Sequence, residues 1–293
     1  MNKTFYSLGL MSGTSMDGID ASIIQSDGKD SFKTILNDFT EYSPEIYDKL
    51  NYLRNKIHKP ADLLELSDDL NLLEKKLTLF HANFVNKIIN QVNFDINFLG
   101  FHGQTIFHSA EEKISKQLGD GNLLSQIVKK IVIYDFRSND LKNGGEGAPL
   151  TPIFHLLLNK KIKENNNSFL NIGGISNLTV IKDKDNFFAK DIGPGNCMID
   201  KWIKQNSKIS YDKNGDIARK GKVNKIILDQ ALDIYLNNSI NDKKTYDIND
   251  FDISFARGLS LEDGAATITE FTAEILSKNM NRKNIFVSGG GRK

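Results

Sequence analysis

Apolar and polar positions alternate with a period of two around Ile19, Ala21 and Ile23, as in a half-buried strand, and Tyr6 to Leu8 lead in as an extended apolar segment. With the run at Phe32 this predicts an opening meander of three strands, Phe5 to Leu10, Ile19 to Gln25 and Phe32 to Phe39. The period then changes. Leu66, Leu70, Leu73, Leu77, Phe80, Phe84 and Ile88 recur at spacings of three and four, which predicts one long amphipathic helix. His81 lies beside that stripe and reads as a packing or surface histidine rather than a catalytic one. Phe98 to Phe101 predicts a short buried strand ending at His102-Gly103-Gln104-Thr105, and Ile131 to Tyr134 another ending at Asp135-Phe136-Arg137. Polar residues at strand ends are where α/β proteins place ligands.

The polar run Lys160 to Asn167 reads as a connector, giving domains over 1–166 and 167–293. After it, Phe169 to Val180 repeats the opening design of strand, glycine turn and strand, with the turn at Gly173-Gly174. Phe187 and Phe188 begin a further strand that leads to Asp191-Ile192-Gly193-Pro194-Gly195-Asn196, and Asn196 is placed to cap a helix carrying Met198, Ile199 and Trp202. Asn143 to Leu150 is a glycine-rich loop entering a helix at Pro152, suited to a substrate lid or to a plain connector. Asp263 and Gly264 are expected to start an apolar helix, and Ile285 to Val287 forms a last strand before Ser288-Gly289-Gly290-Gly291.

The first turn carries the most chemistry. Gly13 and Gly18 permit close approaches that a Cβ would block and leave amides free to face an anion, while Thr14 and Ser15 add hydroxyl donors. Asp17 would repel phosphate unless a divalent cation or water stands between them, which suggests a nucleotide with magnesium. The same residues also suit a hairpin that uses them only to turn. Two such hairpins, at Gly13 and Gly173, could grip a polyphosphate from both sides. Asp191, at a strand end near a helix N-terminus, suits a general base, or else an aspartate that fixes its own turn. Three glycines at 289–291 would let a planar base or a phosphate lie on the backbone.

Charge and composition narrow the ligand. The 293 residues carry 38 Lys and Arg against 37 Asp and Glu, a net charge of +1 that gives no electrostatic case for nucleic acid. One cysteine, Cys197, precludes an internal disulfide and fits a reducing compartment, and no apolar run is long enough to cross a bilayer, so a cytoplasmic protein is expected. Neither a P-loop nor a dinucleotide fingerprint is present, and no G-x-S-x-G elbow surrounds Ser12 or Ser15. His102, His108 and His155 lack zinc-site spacing, so no metal site built by the protein alone is expected.

Taken together, Gly9 to Asp20, Gly100 to Thr105, Tyr134 to Arg137, Gly145 to Leu150, Asn171 to Asn177, Asp191 to Asn196 and Gly289 to Gly291 resemble the motifs of the anhydro-N-acetylmuramic acid kinase family, almost end to end. The resemblance implies an α/β, two-domain actin, Hsp70 and hexokinase-like (ribonuclease H-like) fold with an interdomain cleft. It implies ATP and Mg2+, the ion bound mainly through phosphates and water, with Gly13, Thr14, Ser15, Met16, Asp17, Gly18, Ile19 and Asp20 as the first phosphate segment. Gly173, Gly174, Ser176 and Asn177 would form the second, and Gly289, Gly290 and Gly291 would lie at the adenosine. Asp191 is implied as catalytic base, with His102, Arg137, Gly193 and Asn196 at the sugar. The implied reaction opens 1,6-anhydro-N-acetylmuramic acid with water and phosphorylates O6, in peptidoglycan recycling. The implied partners are the sugar and ATP, with no nucleic acid or membrane, in a homodimer. Family members continue past the triple glycine, whereas this chain stops at Lys293. From that, a truncated chain is expected, with exposed apolar surface on the helix from Asp263 to Met280. The alternative function is an impaired relative that binds nucleotide or sugar without turnover. Lys243 to Ile248 also departs from the family pattern, which has prolines and an arginine there.

Overall fold

A computed structural model describes residues 3–109, 111–162, 166–183, 186–237, 246–280 and 284–292. Lys243 to Thr245 of the divergent loop lie outside the described residues. The chain forms two compact units, Met1–Ala148 and Pro149–Lys293. Among the described residues, no helix is long and apolar enough to cross a membrane.

In the first unit the expected meander is present as β1 (Phe5–Ser12), β2 (Gly18–Ser26) and β3 (Phe32–Glu41), with both pairings antiparallel. The helices α1 (Pro44–Arg54), α2 (Pro60–Glu65) and α3 (Ser67–Ile89) follow. Pro44 sits in the first turn of α1, where its missing N–H costs nothing, and the Ser43 hydroxyl accepts from the Ile46 amide. Next, β4 (Phe98–Ser109) pairs parallel to β1, so that the order runs β3-β2-β1-β4. The second half of β4 pairs antiparallel with β5 (Ile114–Leu118), and its first half pairs parallel with β6 (Ile131–Tyr134). This is the ribonuclease H-like strand order that the resemblance implies.

One sequence expectation changes here. The strand expected to stop at Phe101 continues to Ser109, because His102-Gly103 are absorbed as a bulge between the pairs Leu10↔Phe101 and Ser12↔Gln104. Gly103 makes the bulge possible: its φ is +70°, and a Cβ there would lie 2.6 Å from the Leu118 carbonyl oxygen.

The core of this unit joins Leu8, Leu10, Ile19 and Ile23 of the sheet to the α3 stripe of Leu70, Leu73, Leu77, Phe84 and Ile88. His81 is fully buried on the same helix. Truncating a fully buried leucine such as Leu77 to alanine typically costs about 2–5 kcal/mol. Beyond β5, α4 (Gly121–Val128) and α5 (Phe136–Lys142) flank β6.

The second unit repeats the plan. After α6 (Pro152–Asn159), the strands β7 (Asn167–Ile172), β8 (Ile175–Ile181) and β9 (Phe187–Pro194) form an antiparallel meander. Then come α7 (Cys197–Asn206), α8 (Lys225–Leu236), α9 (Leu261–Asn279) and β10 (Asn284–Ser288), the last parallel to β7. Read as β9-β8-β7-β10, this is the order β3-β2-β1-β4 again, with the same strand directions. The helix α6 belongs to this unit because His155 stacks on Phe169 and hydrogen bonds the Thr179 hydroxyl at 2.8 Å.

Two expectations about α9 change. It starts at Leu261 with Ser260 as its cap, accepting from the Asp263 amide, so Gly264 lies inside the helix. There a Cβ would fall 2.1 Å from the Trp202 ring. Nor is the apolar face of α9 exposed: Ala265, Ile268, Phe271 and Ile275 are buried with Met198, Trp202, Leu228 and Leu232 of α7 and α8. On β10, Phe286 and Val287 are among the exposed apolar side chains.

Gly18 shows how tightly the first hairpin is packed, since a Cβ there would fall 2.2 Å from the Thr40 carbonyl oxygen, a backbone atom that no rotamer change can move. Gly18→Ala is expected to destabilise the protein by about 1–3 kcal/mol in denaturant titrations. Gly9→Ala meets only the Ser22 oxygen at 3.9 Å and serves as the control. Equal stabilities of the two variants would contradict this packing.

Candidate functional site

The β1–β2 turn is built around a hydrogen bond from the Met16 amide to the Gly13 carbonyl, at 3.2 Å. That turn leaves the two central amides, of Thr14 and Ser15, without an acceptor among the described residues, and both residues are exposed. The positive φ of the turn belongs to Met16 (56°), not to either glycine. Burial of the Met16 side chain against the core holds a non-glycine residue in that conformation. Met16, Gly18 and Ile19 therefore bring only backbone atoms to any ligand, whereas Thr14, Ser15, Asp17 and Asp20 present side chains to solvent. The Ser15 hydroxyl donates to Asp17 Oδ1 at 2.7 Å. Loss of solvent, and then the neighbouring Asp17 charge, hold the Asp20 carboxyl above its usual range.

The turn's carbonyls are taken up from other elements. Gln104 Nε2 donates to the Gly13 oxygen at 2.9 Å, Arg54 Nη1 to the Thr14 oxygen at 2.9 Å, and the Tyr42 amide to the Asp17 oxygen at 2.9 Å. Beneath them the Ser12 hydroxyl lies 2.8 Å from the Tyr42 phenol and 3.5 Å from His81 Nε2. His81 Nδ1 donates to the Leu77 carbonyl, which leaves Nε2 as an acceptor. Tyr42 and Arg54 gave no sequence signal, because their partners stand 25 to 40 positions away, and Gln104 was visible only as a motif letter.

A second cluster forms where three motifs meet. His102, aimed by its bulge, donates from Nδ1 to the Gly103 carbonyl at 2.6 Å, and its Nε2 accepts from Arg137 Nε at 3.0 Å. Arg137 Nη1 reaches the Gly147 carbonyl at 2.5 Å, and the Gly147 amide donates to Asp140 Oδ2 at 2.8 Å. His102, Arg137 and the loop around Gly147 are thus one connected group. Burial, and then the Arg137 charge, lower the His102 pKa to about 4, against a weaker opposing effect of the Gly103 carbonyl. The ring is neutral at physiological pH, with the tautomer fixed by its two partners.

In the second unit the β7–β8 turn is held by three backbone amides. Asn196 donates to the Gly173 oxygen at 2.7 Å, and Gly195 and Cys197 donate to the Gly174 oxygen at 3.0 and 3.1 Å. The Ser176 hydroxyl donates to the Pro194 carbonyl at 3.0 Å. A Cβ on Gly195 would lie 2.1 Å from the Gly173 oxygen, so only glycine fits. Gly193 is likewise fixed, by a φ of +148° and a Cβ position 2.6 Å from Ile275. Asn196 occupies the cap position of α7 but makes no side-chain cap bond, contrary to expectation. Its side chain lies instead beside the last glycines: Cβ positions on Gly290 and Gly291 come within 3.2 and 2.9 Å of its amide. Gly289 and Gly291 are also required by contact with Ile172, at 2.3 Å in each case. Two of the three glycines therefore have a packing reason apart from any ligand.

Asp191 sits on β9 opposite Asn177, just before a bulge at Ile192, and its Oδ2 accepts from the Tyr246 amide at 3.0 Å. Burial pushes the Cys197 thiol up to about 12, so it is no nucleophile. Among the described residues no three His, Cys, Asp or Glu side chains gather as a metal set.

His81 and His102 make stability depend on pH. Burial first, then the proximity of His102, hold the His81 pKa at about 4, as for His102 itself. Between pH 4 and 6.5 the unfolded chain binds more protons than the folded one, so this stability is complete above about 6.5 and is lost as pH falls toward 4. The expected slope is about 1.4 kcal/mol per pH unit for each histidine. His81→Gln should remove one histidine's share, as read from denaturation midpoints at pH 7 and 5. A flat wild-type profile would contradict the burial of both rings.

The family model described as Anhydro-N-acetylmuramic acid kinase matches residues 5–293. A curated relative of that description from Pelagibacter ubique (strain HTCC1062) is 50% identical, covering 100% of this chain and 81% of its own length. One from Agrobacterium fabrum (strain C58 / ATCC 33970) is 36% identical over 100% of this chain and 81% of its own. A third, from Zymomonas mobilis subsp. mobilis, is 37% identical over 97% and 80%. Among solved structures, the Aquifex aeolicus PPX-GPPA enzyme aligns with 99% of this chain and 97% of its own at 10% identity and a TM-score of 0.37, too low to argue from.

Proposed function

The chain belongs to the anhydro-N-acetylmuramic acid kinase family, and from that premise we propose that it opens 1,6-anhydro-N-acetylmuramic acid with water and transfers the γ-phosphoryl group of ATP to O6. The observation that carries this reading is the family match across residues 5–293, which takes in every segment assigned a role below. It favours the active kinase over an impaired relative.

In the first unit, the amides of Thr14 and Ser15 and the backbone from Gly13 to Asp20 bind phosphate. Asp17 and Asp20 add hard oxygen donors in the pattern magnesium accepts, namely one or two carboxylates with water and substrate phosphates completing the shell. When bound, magnesium neutralises charge on the phosphates. In the second unit, the Gly173, Gly174, Ser176 and Asn177 turn binds phosphate and Gly289 to Gly291 the adenosine. Asp191 takes a proton from water as that water attacks the anomeric carbon. The C1–O6 bond breaks with its electron pair on O6, O6 bonds to the γ-phosphorus, and ADP leaves. The product is N-acetylmuramic acid 6-phosphate.

Sugar recognition falls to His102 and Arg137; in the second unit, Gly193 and Asn196 are the residues that the family resemblance assigns to the sugar. The Arg137 guanidinium is held in place by His102 and Gly147, and its fork of donors suits the lactyl carboxylate. The reading carries with it a cytoplasmic location, supported by the single cysteine, Cys197, and a homodimer, which sedimentation would test.

Asp191→Asn is expected to keep ATP binding nearly intact while turnover falls by about 10²–10⁴, the usual worth of a general base. Near-normal turnover would remove Asp191 from the mechanism. Arg137→Lys loses the fork geometry and should raise the KM for the sugar far more than the KM for ATP. Equal effects on both would exclude the carboxylate contact.

A further inference from the structure

We propose that Gln104, Arg54 and Tyr42 are positioning residues for phosphoryl transfer, which turn the carbonyls of the Gly13–Asp17 segment away from the nucleotide so that its amides alone face the phosphates. The inference rests on the proposed reading of that segment as a phosphate site. Its physical basis is the polarity of the peptide group, because every turn that offers N–H donors also carries C=O dipoles, and an inward-facing carbonyl repels phosphate as an amide attracts it. Here three carbonyls of a five-residue loop, those of Gly13, Thr14 and Asp17, each accept from a donor on a different element: β4, α1, and the β3–α1 junction. The amides of Thr14 and Ser15 have no acceptor among the described residues.

Tyr42 grips the loop at both ends. Its amide bonds Asp17 at one end, and its phenol meets Ser12, the residue before Gly13, at the other. Ser12 is in turn backed by His81. Gln104 is fully buried, and its amide nitrogen reaches Gly13 while its Oε1 has no partner among the described residues. A buried amide kept at that cost is not explained by core packing, where an apolar side chain of the same volume would do better.

The second unit solves the same problem differently, holding the Gly173 and Gly174 carbonyls with backbone amides of residues 195–197. In the first turn two of the three donors, Gln104 and Arg54, are side chains, so side-chain substitutions there test the effect.

The test measures KM for ATP and for the anhydro-sugar separately in the full chain. Gln104→Met, of similar volume but without the donor, should raise the KM for ATP about tenfold, in line with one lost hydrogen bond of roughly 1.4 kcal/mol, and leave the sugar KM within about twofold. Gln104→Glu, which sets a second acceptor against the Gly13 carbonyl, should raise the ATP KM further. Arg54→Met should raise it about threefold, and so should Tyr42→Phe, which loses the Ser12 contact at the start of the turn while the Tyr42 amide keeps its bond to Asp17; Arg54 is partly exposed, so its variant is expected to fold and decides the matter even if the Gln104 variants do not fold. A purely structural role would move both KM values together. An equal rise in both, or an unchanged ATP KM in folded Arg54→Met, would overturn the proposal. If the wild-type chain shows no saturation by ATP, the phosphate-site reading itself fails, a different outcome from saturation that the substitutions leave unaltered.

Discussion

Both glycine turns depend on taking up their carbonyl groups from within their own unit. A hairpin tip exposes donors and acceptors in equal number, and an anion site requires that the acceptors be withdrawn. In the second unit the amides of Gly195, Asn196 and Cys197 do this, and the closeness it demands explains why residue 195 is glycine. In the first unit the donors are Gln104, Arg54 and Tyr42, which ties the turn to β4 and to the start of α1. The bulge that aims His102 lies next to Gln104 on the same strand, so the β1–β2 turn and the His102–Arg137 pair share one strand as their support.

The periodic elements were legible in the sequence. The first meander, the α3 stripe and the second strand–turn–strand emerged from spacing alone, because each buries one face and the pattern records which. The duplicated strand order was visible only in outline, since β4 and β10 pair in parallel with strands more than eighty residues away. What sequence spacing misjudged had a local cause. The strand at Phe98 runs on to Ser109 through a glycine bulge that reads as a strand end, and α9 begins at Leu261 rather than Asp263 because Ser260 caps it.

At the candidate site, residue types were legible but not their reasons. Glycines at 13, 18, 193, 195 and 289–291 all read as backbone chemistry. Gly18, Gly195, Gly289 and Gly291 turn out to be required by neighbouring backbone or side chains, while Gly13 stands in ordinary contact with only the Ser15 hydroxyl. The meeting of His102, Arg137 and the Gly147 carbonyl could not be read from spacings of 35 and 10 residues, though each motif was marked. His81, read as a bland packing histidine, is buried as that reading allowed, yet it also backs Ser12 beneath the β1–β2 turn.

The central claim is that this chain is a kinase that couples hydrolysis of an anhydro bridge to phosphoryl transfer, and the most direct measurement is ADP release in a coupled assay with ATP, magnesium and 1,6-anhydro-N-acetylmuramic acid. The account predicts ADP formation that requires both substrates and matches the N-acetylmuramic acid 6-phosphate formed one for one. ADP release at the same rate without the sugar, or binding of both substrates with no ADP at all, would contradict it.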